Sequence, residues 1–269
     1  MTDSEYEVVA LRYAFREDGT ASSTYYAYEV YGEADHSIAS DYYIFVARND
    51  FRTVLVDCGY SPRRARERGR TLTALPEELL ARMGIAPEDV DHVVLTHMHW
   101  DHVGNTGLFP NATFSIARSE YESVTGPYGR RPCIGVALGD EELEAVKGLE
   151  LAGRLYQVPD GGVELFPGIR LVVAPGHTPG QLLTDVTTST GSVVLASDAL
   201  HFYDEMALDR PFWVFTDLAG MYRTYELLRS YSARPNTVVV PGHDPAVTTH
   251  FREIAENCFD LTTPLSGTA

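Results

Sequence analysis

Cysteine is scarce in this chain: Cys58, Cys133 and Cys258 stand far apart, and no CxxC pair occurs. That argues against a disulfide framework and a thiolate zinc knuckle. Positive charge is also short, with 21 Lys and Arg against 38 Asp and Glu and a formal net charge of −17. Such a surface repels phosphate backbones and anionic lipid, so neither a nucleic-acid partner nor a membrane-surface role is expected. No run of about 18 apolar residues exists, so no spanning helix is predicted. The N-terminal MTDSEYEVVALRY lacks a basic stretch followed by an apolar one. No signal peptide is read there, and a reducing, cytoplasmic setting is the expectation. GxSxG is absent, which removes the familiar serine-hydrolase motif. No repeat or Gly/Ser linker divides the 269 residues, and one domain over 1–269 is expected.

What is present is an ordinary globular composition, 44% hydrophobic and 22% charged. Short β-like runs recur at 25–31, 42–48, 53–59, 92–97, 113–117, 169–175, 192–197 and 237–242. Several are continuous and Val-rich, as in strands buried on both faces. Helical spacing appears at 75–84, 139–150 and 217–231. This pattern fits an α/β chain, either two sheets face to face with helices outside or one doubly wound sheet.

Residues 96–105 read THMHWDHVGN and hold three of the nine histidines. The stretch follows the strand-like HVVLT, so His97, His99, Asp101 and His102 lie on a loop at a strand end. Packing gives no reason to crowd four ionisable groups there, and their proximity calls for a bound cation. Three later apolar runs end in the same way, delivering His177, Asp198 and His243. Singly these are unremarkable, since a strand-end His is usually solvated and Asp198 could cap a helix. Together they suggest ligands converging on one sheet edge.

THMHWDH, then PGHTPGQ, SDALH and PGHD, occur in the order found in the metallo-β-lactamase superfamily, which the chain resembles over about residues 40–245. The resemblance implies an αββα sandwich with two mixed sheets. It also implies a dinuclear site in which one ion takes His97, His99 and His177, the other takes Asp101, His102 and His243, and Asp198 bridges. Asp57, in VLVDCG, would support a ligand histidine from behind. The donors are all N or O, so two divalent ions per chain are expected, zinc first, with iron, manganese or cobalt also compatible. Cys58 is read as a small buried residue.

Two ions with a bridging hydroxide suit ester hydrolysis, because a metal lowers the pKa of bound water to about 7. The closest resemblance is to the N-acyl homoserine lactonases, quorum-quenching enzymes. It implies lactone opening, with Asp101 protonating the leaving oxygen. Those lactonases often carry Tyr three residues after the bridging Asp, and here that position is His201, which can still donate to an oxyanion. A glyoxalase II-type thioesterase or a phosphoesterase is the alternative, and a non-catalytic metal module a lesser one. A flavodiiron reading would require a flavodoxin-like domain, for which too few residues follow His243. Phe202, Tyr203, Phe212, Trp213 and Phe215 are candidate pocket walls, as is the segment 14–28. The expected partner is a small lactone or ester, and the expected state a monomer or homodimer.

Overall fold

The computed structural model describes residues 2–265; Met1 and 266–269, part of the expected domain, lie outside the described residues. Its strands are β1 (Glu7–Thr20), β2 (Ser37–Arg48), β3 (Thr53–Val56), β4 (Thr71–Leu72), β5 (His92–Val94), β6 (Thr113–Ala117) and β7 (Leu155–Val158). These are followed by β8 (Val163–Phe166), β9 (Ile169–Val173), β10 (Leu182–Thr188), β11 (Gly191–Ser197), β12 (Thr237–Pro241), β13 (Phe251–Ala255) and β14 (Cys258–Pro264).

They form two sheets. One runs β13-β14-β1-β2-β3-β5-β6-β7, with β4 beside β1; the other runs β12-β11-β10-β9-β8. Both are mixed: β3, β5, β6 and β7 are parallel neighbours, as are β11 and β12, and the remaining pairs are antiparallel.

Side-chain alternation explains the layering. Along β1, Val8 and Ala10 face the second sheet while Val9, Leu11 and Tyr13 face the outer helices. Along β11, Val193 and Leu195 point inward while Val194 and Ala196 meet the helix Leu218–Ser232. That helix buries Met221, Tyr225 and Leu228, which lie at helical spacing on one face. Each such burial contributes roughly 1.5–3 kcal/mol. Helices Pro76–Arg82 and Asp140–Leu151 cover the other flank with Leu79, Leu80, Leu143 and Val146. Helices therefore lie outside two apposed sheets, as expected for the sandwich and not for a doubly wound sheet. No helix of the described residues is long and apolar enough to cross a membrane.

One expected strand is absent. Residues 25–31 instead make a single bridge, Tyr25 to Phe212, and a 3-10 turn at Tyr28–Tyr31. Left-handed Ala27 (φ 51°) and Gly32 (φ 65°) break any extended run, and Tyr25 and Tyr28 pack against Phe202 in a small separate cluster. The run was aromatic because it covers a local cluster, not because it joins a sheet. The longest strand, β1, and the pair β13–β14 lie outside the motif-bearing region and complete the larger sheet.

Candidate metal centre

The functional side chains stand where strands end. Asp57 follows β3, His97 to His102 follow β5, His177 follows β9, Asp198 follows β11 and His243 follows β12. The parallel pairs β3–β5 and β11–β12 deliver their carboxyl ends to the same edge. Two glycines permit the close approach. A Cβ on Gly104 would stand 2.9 Å from Gly59 O and from Tyr60 Cα, and one on Gly242 would stand 2.8 Å from Ser197 O. Asp57 (φ 64°) and Ser197 (φ 47°) adopt the left-handed region beside the site, a conformation that costs energy and persists only when surroundings enforce it.

Two groups result. His97, His99, His177 and Asp198 form one; Asp101, His102 and His243 form the other; within each, potential ligand atoms lie within 4.8 Å of one another. Asp198 faces both. Its Oδ2 is 3.3 Å from His177 Nε2 and 3.7 Å from His97 Nε2, while its Oδ1 is 3.2 Å from His102 Nε2 and 3.0 Å from His243 Nε2.

The outer nitrogens of three imidazoles have fixed roles. His177 Nδ1 donates to Val214 O at 2.8 Å and His243 Nδ1 to Asp41 O at 2.8 Å, since a carbonyl only accepts. His102 Nδ1 meets Asp57 Oδ2 at 2.7 Å. Each neutral ring therefore turns a bare lone pair inward, toward carboxylate oxygen or another imidazole. His177 Nε2, for example, lies 2.9 Å from His99 Nδ1. Buried His97 Nε2 and His102 Nε2 have no hydrogen-bond partner. Lone pairs facing carboxylates in a buried site require positive charge between them, and the donor set fits divalent cations.

Without such charge the rings diverge. Burial, with neighbouring imidazoles, holds His97 and His177 well below the usual histidine range and takes His99 to about 4. Burial also opposes charge on His102, but Asp198, Asp57 and Asp101 outweigh it and raise that ring well above its usual range.

Around the ligands lies a supporting layer that the motifs did not reveal, apart from Asp57. The Asp57 carboxylate also accepts from Thr96 N at 2.9 Å and from Ser197 Oγ at 3.1 Å. Asp41, whose carbonyl orients His243, is ion-paired with Arg12 at 2.7 Å. Fully buried Glu120 accepts from Met98 N at 3.0 Å and Gly180 N at 3.1 Å, tying the loop of His97 and His99 to the loop after His177. Burial pushes its carboxyl above the usual range. Cys58 is buried, and its thiol donates to His102 O.

His201 is 1% exposed and lies beside Asp198. Its Nε2 is 3.0 Å from Asp198 Oδ2 and its Nδ1 is 3.2 Å from Glu205 Oε1, though neither contact is aligned as a hydrogen bond. Burial disfavours its charged form, yet the two carboxylates prevail and push its pKa up to about 9. Phe212 stacks on the ring at 3.7 Å and 20°.

A cleft of about 220 Å³ opens over Asp101, Asp198 and His201. Of the expected walls, Phe202, Phe212 and Trp213 line it, and the segment 14–28 contributes Arg16 and Thr24. Tyr203 and Phe215 do not reach it. Tyr203 packs against His250, and Phe215 packs edge-on against Tyr26 and beneath the helix Leu218–Ser232. Tyr42, Arg68, Arg70 and Trp100 also line the cleft and were missed. Trp100 could have been found, since it stands inside the histidine motif.

A sandwich of two mixed sheets gathers five imidazoles and two carboxylates at one edge, in two groups that could each hold a divalent cation. The chain belongs to the metallo-beta-lactamase superfamily, whose profile matches residues 39–243, well over half its length. Among curated proteins it is 30% identical over 185 residues to an N-acyl homoserine lactonase of Bacillus thuringiensis, a match covering 65% of this chain and 66% of the relative. A second lactonase, from Rhizobium radiobacter, is 32% identical over 181 residues, with 65% of each chain covered. The matches thus span just under two thirds of these relatives' own lengths. Among solved structures, a quorum-quenching N-acyl homoserine lactone lactonase superposes with a TM-score of 0.71 at 21% identity, covering 94% of this chain and 98% of its own. A dizinc quorum-quenching lactonase does so with a TM-score of 0.71 at 19% identity, covering 91% and 90%.

Proposed function

We propose that this chain is a single-domain, divalent-metal hydrolase that opens a lactone ring of the N-acyl homoserine lactone type. The supporting observation is Asp198, which offers one carboxylate oxygen to each ligand group. That arrangement suits a bridge between two ions, one held by His97, His99 and His177 and the other by Asp101, His102 and His243. The lactonases among its relatives support the substrate class, and zinc agrees with both the N and O donors and the dizinc neighbour. Bound together, such ions supply a water activated for attack at neutral pH and positive charge against developing oxyanions.

The chain's own groups do the rest. Asp101 is the least buried of the seven ligands and lines the cleft. It takes the proton released by the attacking water and returns it to the ring oxygen as the C–O bond breaks, leaving a hydroxy acid. His201, fixed between Phe212 and the carboxylates of Asp198 and Glu205, donates to the carbonyl oxygen. Phe202, Phe212 and Trp213 pack against the acyl portion. Three free cysteines agree with a reducing, cytoplasmic setting.

The test is proton release from N-hexanoyl-L-homoserine lactone by protein loaded with zinc, beside His97→Ala. Turnover by the parent chain and none by the variant is expected. Equal rates, or no turnover by either protein at two zinc ions per parent chain, refute the reading.

A further inference from the structure

The cleft has two unlike walls. One is aromatic, formed by Phe202, Phe212 and Trp213; the other carries Arg16, Arg68 and Arg70. Three guanidinium groups on one wall stand out in a chain with 38 acidic and 21 basic side chains. An arginine here could find a carboxylate partner almost anywhere. Arg16 has one, Asp18 at 2.7 Å. Arg68 and Arg70 have none within 4.0 Å among the described residues, though Arg70, beyond that distance, helps Arg16 hold the exposed Asp18 carboxyl below its usual range. The cleft's own acids, Asp101 and Asp198, belong to the ligand groups.

The two unpaired arginines are nevertheless held in place. Arg70 donates from Nε to Tyr42 Oη and from Nη1 to Arg68 O, each at 2.6 Å. Its Nη2 has no protein acceptor among the described residues. Arg68 lies over the Trp100 ring at 5.1 Å and donates from Nη2 to Val136 O at 3.3 Å. Both are one aromatic ring away from the ligands. Tyr42 packs edge-on against His243 at 4.9 Å, and Trp100 precedes Asp101 in the chain. Neutral partners that orient a guanidinium without neutralising it leave its charge and planar fork available to an anion.

We propose that the substrate carries a carboxylate on the arm remote from its scissile ester, and that Arg68 and Arg70 bind it, with Arg16 beside them. The proposal rests on the hydrolase reading for the position of the ester. It replaces a plain alkyl arm with an acidic one, since an alkyl chain would leave the arginine wall without a partner. It makes Arg68 and Arg70 specificity-determining residues.

The test compares two ring-opened ligands, N-hexanoyl-L-homoserine and N-adipoyl-L-homoserine, which differ at the end of the acyl arm by a carboxylate. Trp100 and Trp213, the chain's two tryptophans, both line the cleft, so intrinsic fluorescence of zinc-loaded protein reports occupancy without turnover. The adipoyl ligand is expected to bind about tenfold more tightly at low salt, as a charge-assisted contact warrants. The preference should shrink as salt rises. It should vanish in Arg68→Gln/Arg70→Gln and survive in Arg70→Lys. Equal affinities, or a preference that persists in the double variant, overturn the proposal. Lactone turnover is scored separately. Ring opening without an adipoyl preference sinks the arginine site alone, and an adipoyl preference without ring opening sinks the lactonase reading alone.

Discussion

Asp57 Oδ2 lies 2.7 Å from His102 Nδ1 in a buried contact, and this pair determines which nitrogen of the ring faces the centre. The carboxylate accepts from Nδ1, so in the neutral ring that a cation requires Nε2 is left as a lone pair directed toward Asp198. The same carboxylate accepts from the Thr96 amide and from Ser197 Oγ. One side chain thus ties the loop after β3 to the loop after β5 and to the end of β11.

Asp57→Asn keeps the shape and tolerates the left-handed backbone at this position, but removes the charge that makes His102 a strong donor to a cation. Affinity for the ion on the His102 side should fall roughly 10–100-fold, and more than on the His97 side, which Asp57 reaches only through Thr96 Oγ1. Competition against a chromophoric zinc chelator resolves the two ions. Retention of both at parental affinity would show that Asp57 acts only in folding.

Glu205 serves the cleft wall. Its carboxylate accepts from His201 N at 2.6 Å, Phe202 N at 2.9 Å, Phe212 N at 3.2 Å and Tyr225 Oη at 2.6 Å. Glu205→Leu strands three amides and a phenol. At about 1 kcal/mol or more for each of the four unsatisfied donors, the loss should be about 4 kcal/mol or greater. For a chain of this size that corresponds to a Tm lower by roughly 8–16 °C. Differential scanning fluorimetry measures it, and a drop under about 2 °C would mean that water satisfies these groups.

The sequence shows the candidate ligands and hides much of what holds them, for a physical reason. HxHxDH is local: one strand end and one turn bring four donors together, so spacing alone exposes them. Asp41, Glu120 and Glu205 gain their roles from neighbours remote in the chain, as when Asp41 O meets His243 Nδ1 across 202 residues. Nothing in their own surroundings marks them. The same holds for β1, where Arg12 and Arg16 interrupt the apolar pattern. Arg12 is tolerated because Asp41, near the start of the ladder on β2, pairs with it. Tyr25–Tyr31 shows the opposite error, in which aromatic content imitated a strand. Arg68 and Arg70 look like any charged surface run until the fold sets them over Trp100 and Tyr42.

His92 provides a pH test away from the centre. It sits on β5, 3% exposed, with Nδ1 at 2.7 Å from Thr113 Oγ1 and Nε2 at 2.7 Å from Ser115 Oγ. Phe166 packs edge-on against it at 5.5 Å. Burial disfavours the imidazolium and lowers the pKa to about 4. The unfolded chain, titrating near 6.5, takes up this proton first as the pH falls. The contribution of neutral His92 is therefore complete above about pH 6.5 and is lost progressively down to about 4. The loss reaches at most about 3 kcal/mol, at 1.36 kcal/mol per pH unit. His92→Gln stays neutral and should flatten this part of the acid limb. Urea unfolding midpoints for parent and variant at pH 7.5, 6, 5 and 4.5 give the difference directly, with other titrating groups cancelling. A difference that grows below pH 6.5 in the variant's favour is expected, whereas parallel profiles would mean that His92 is protonated within the fold.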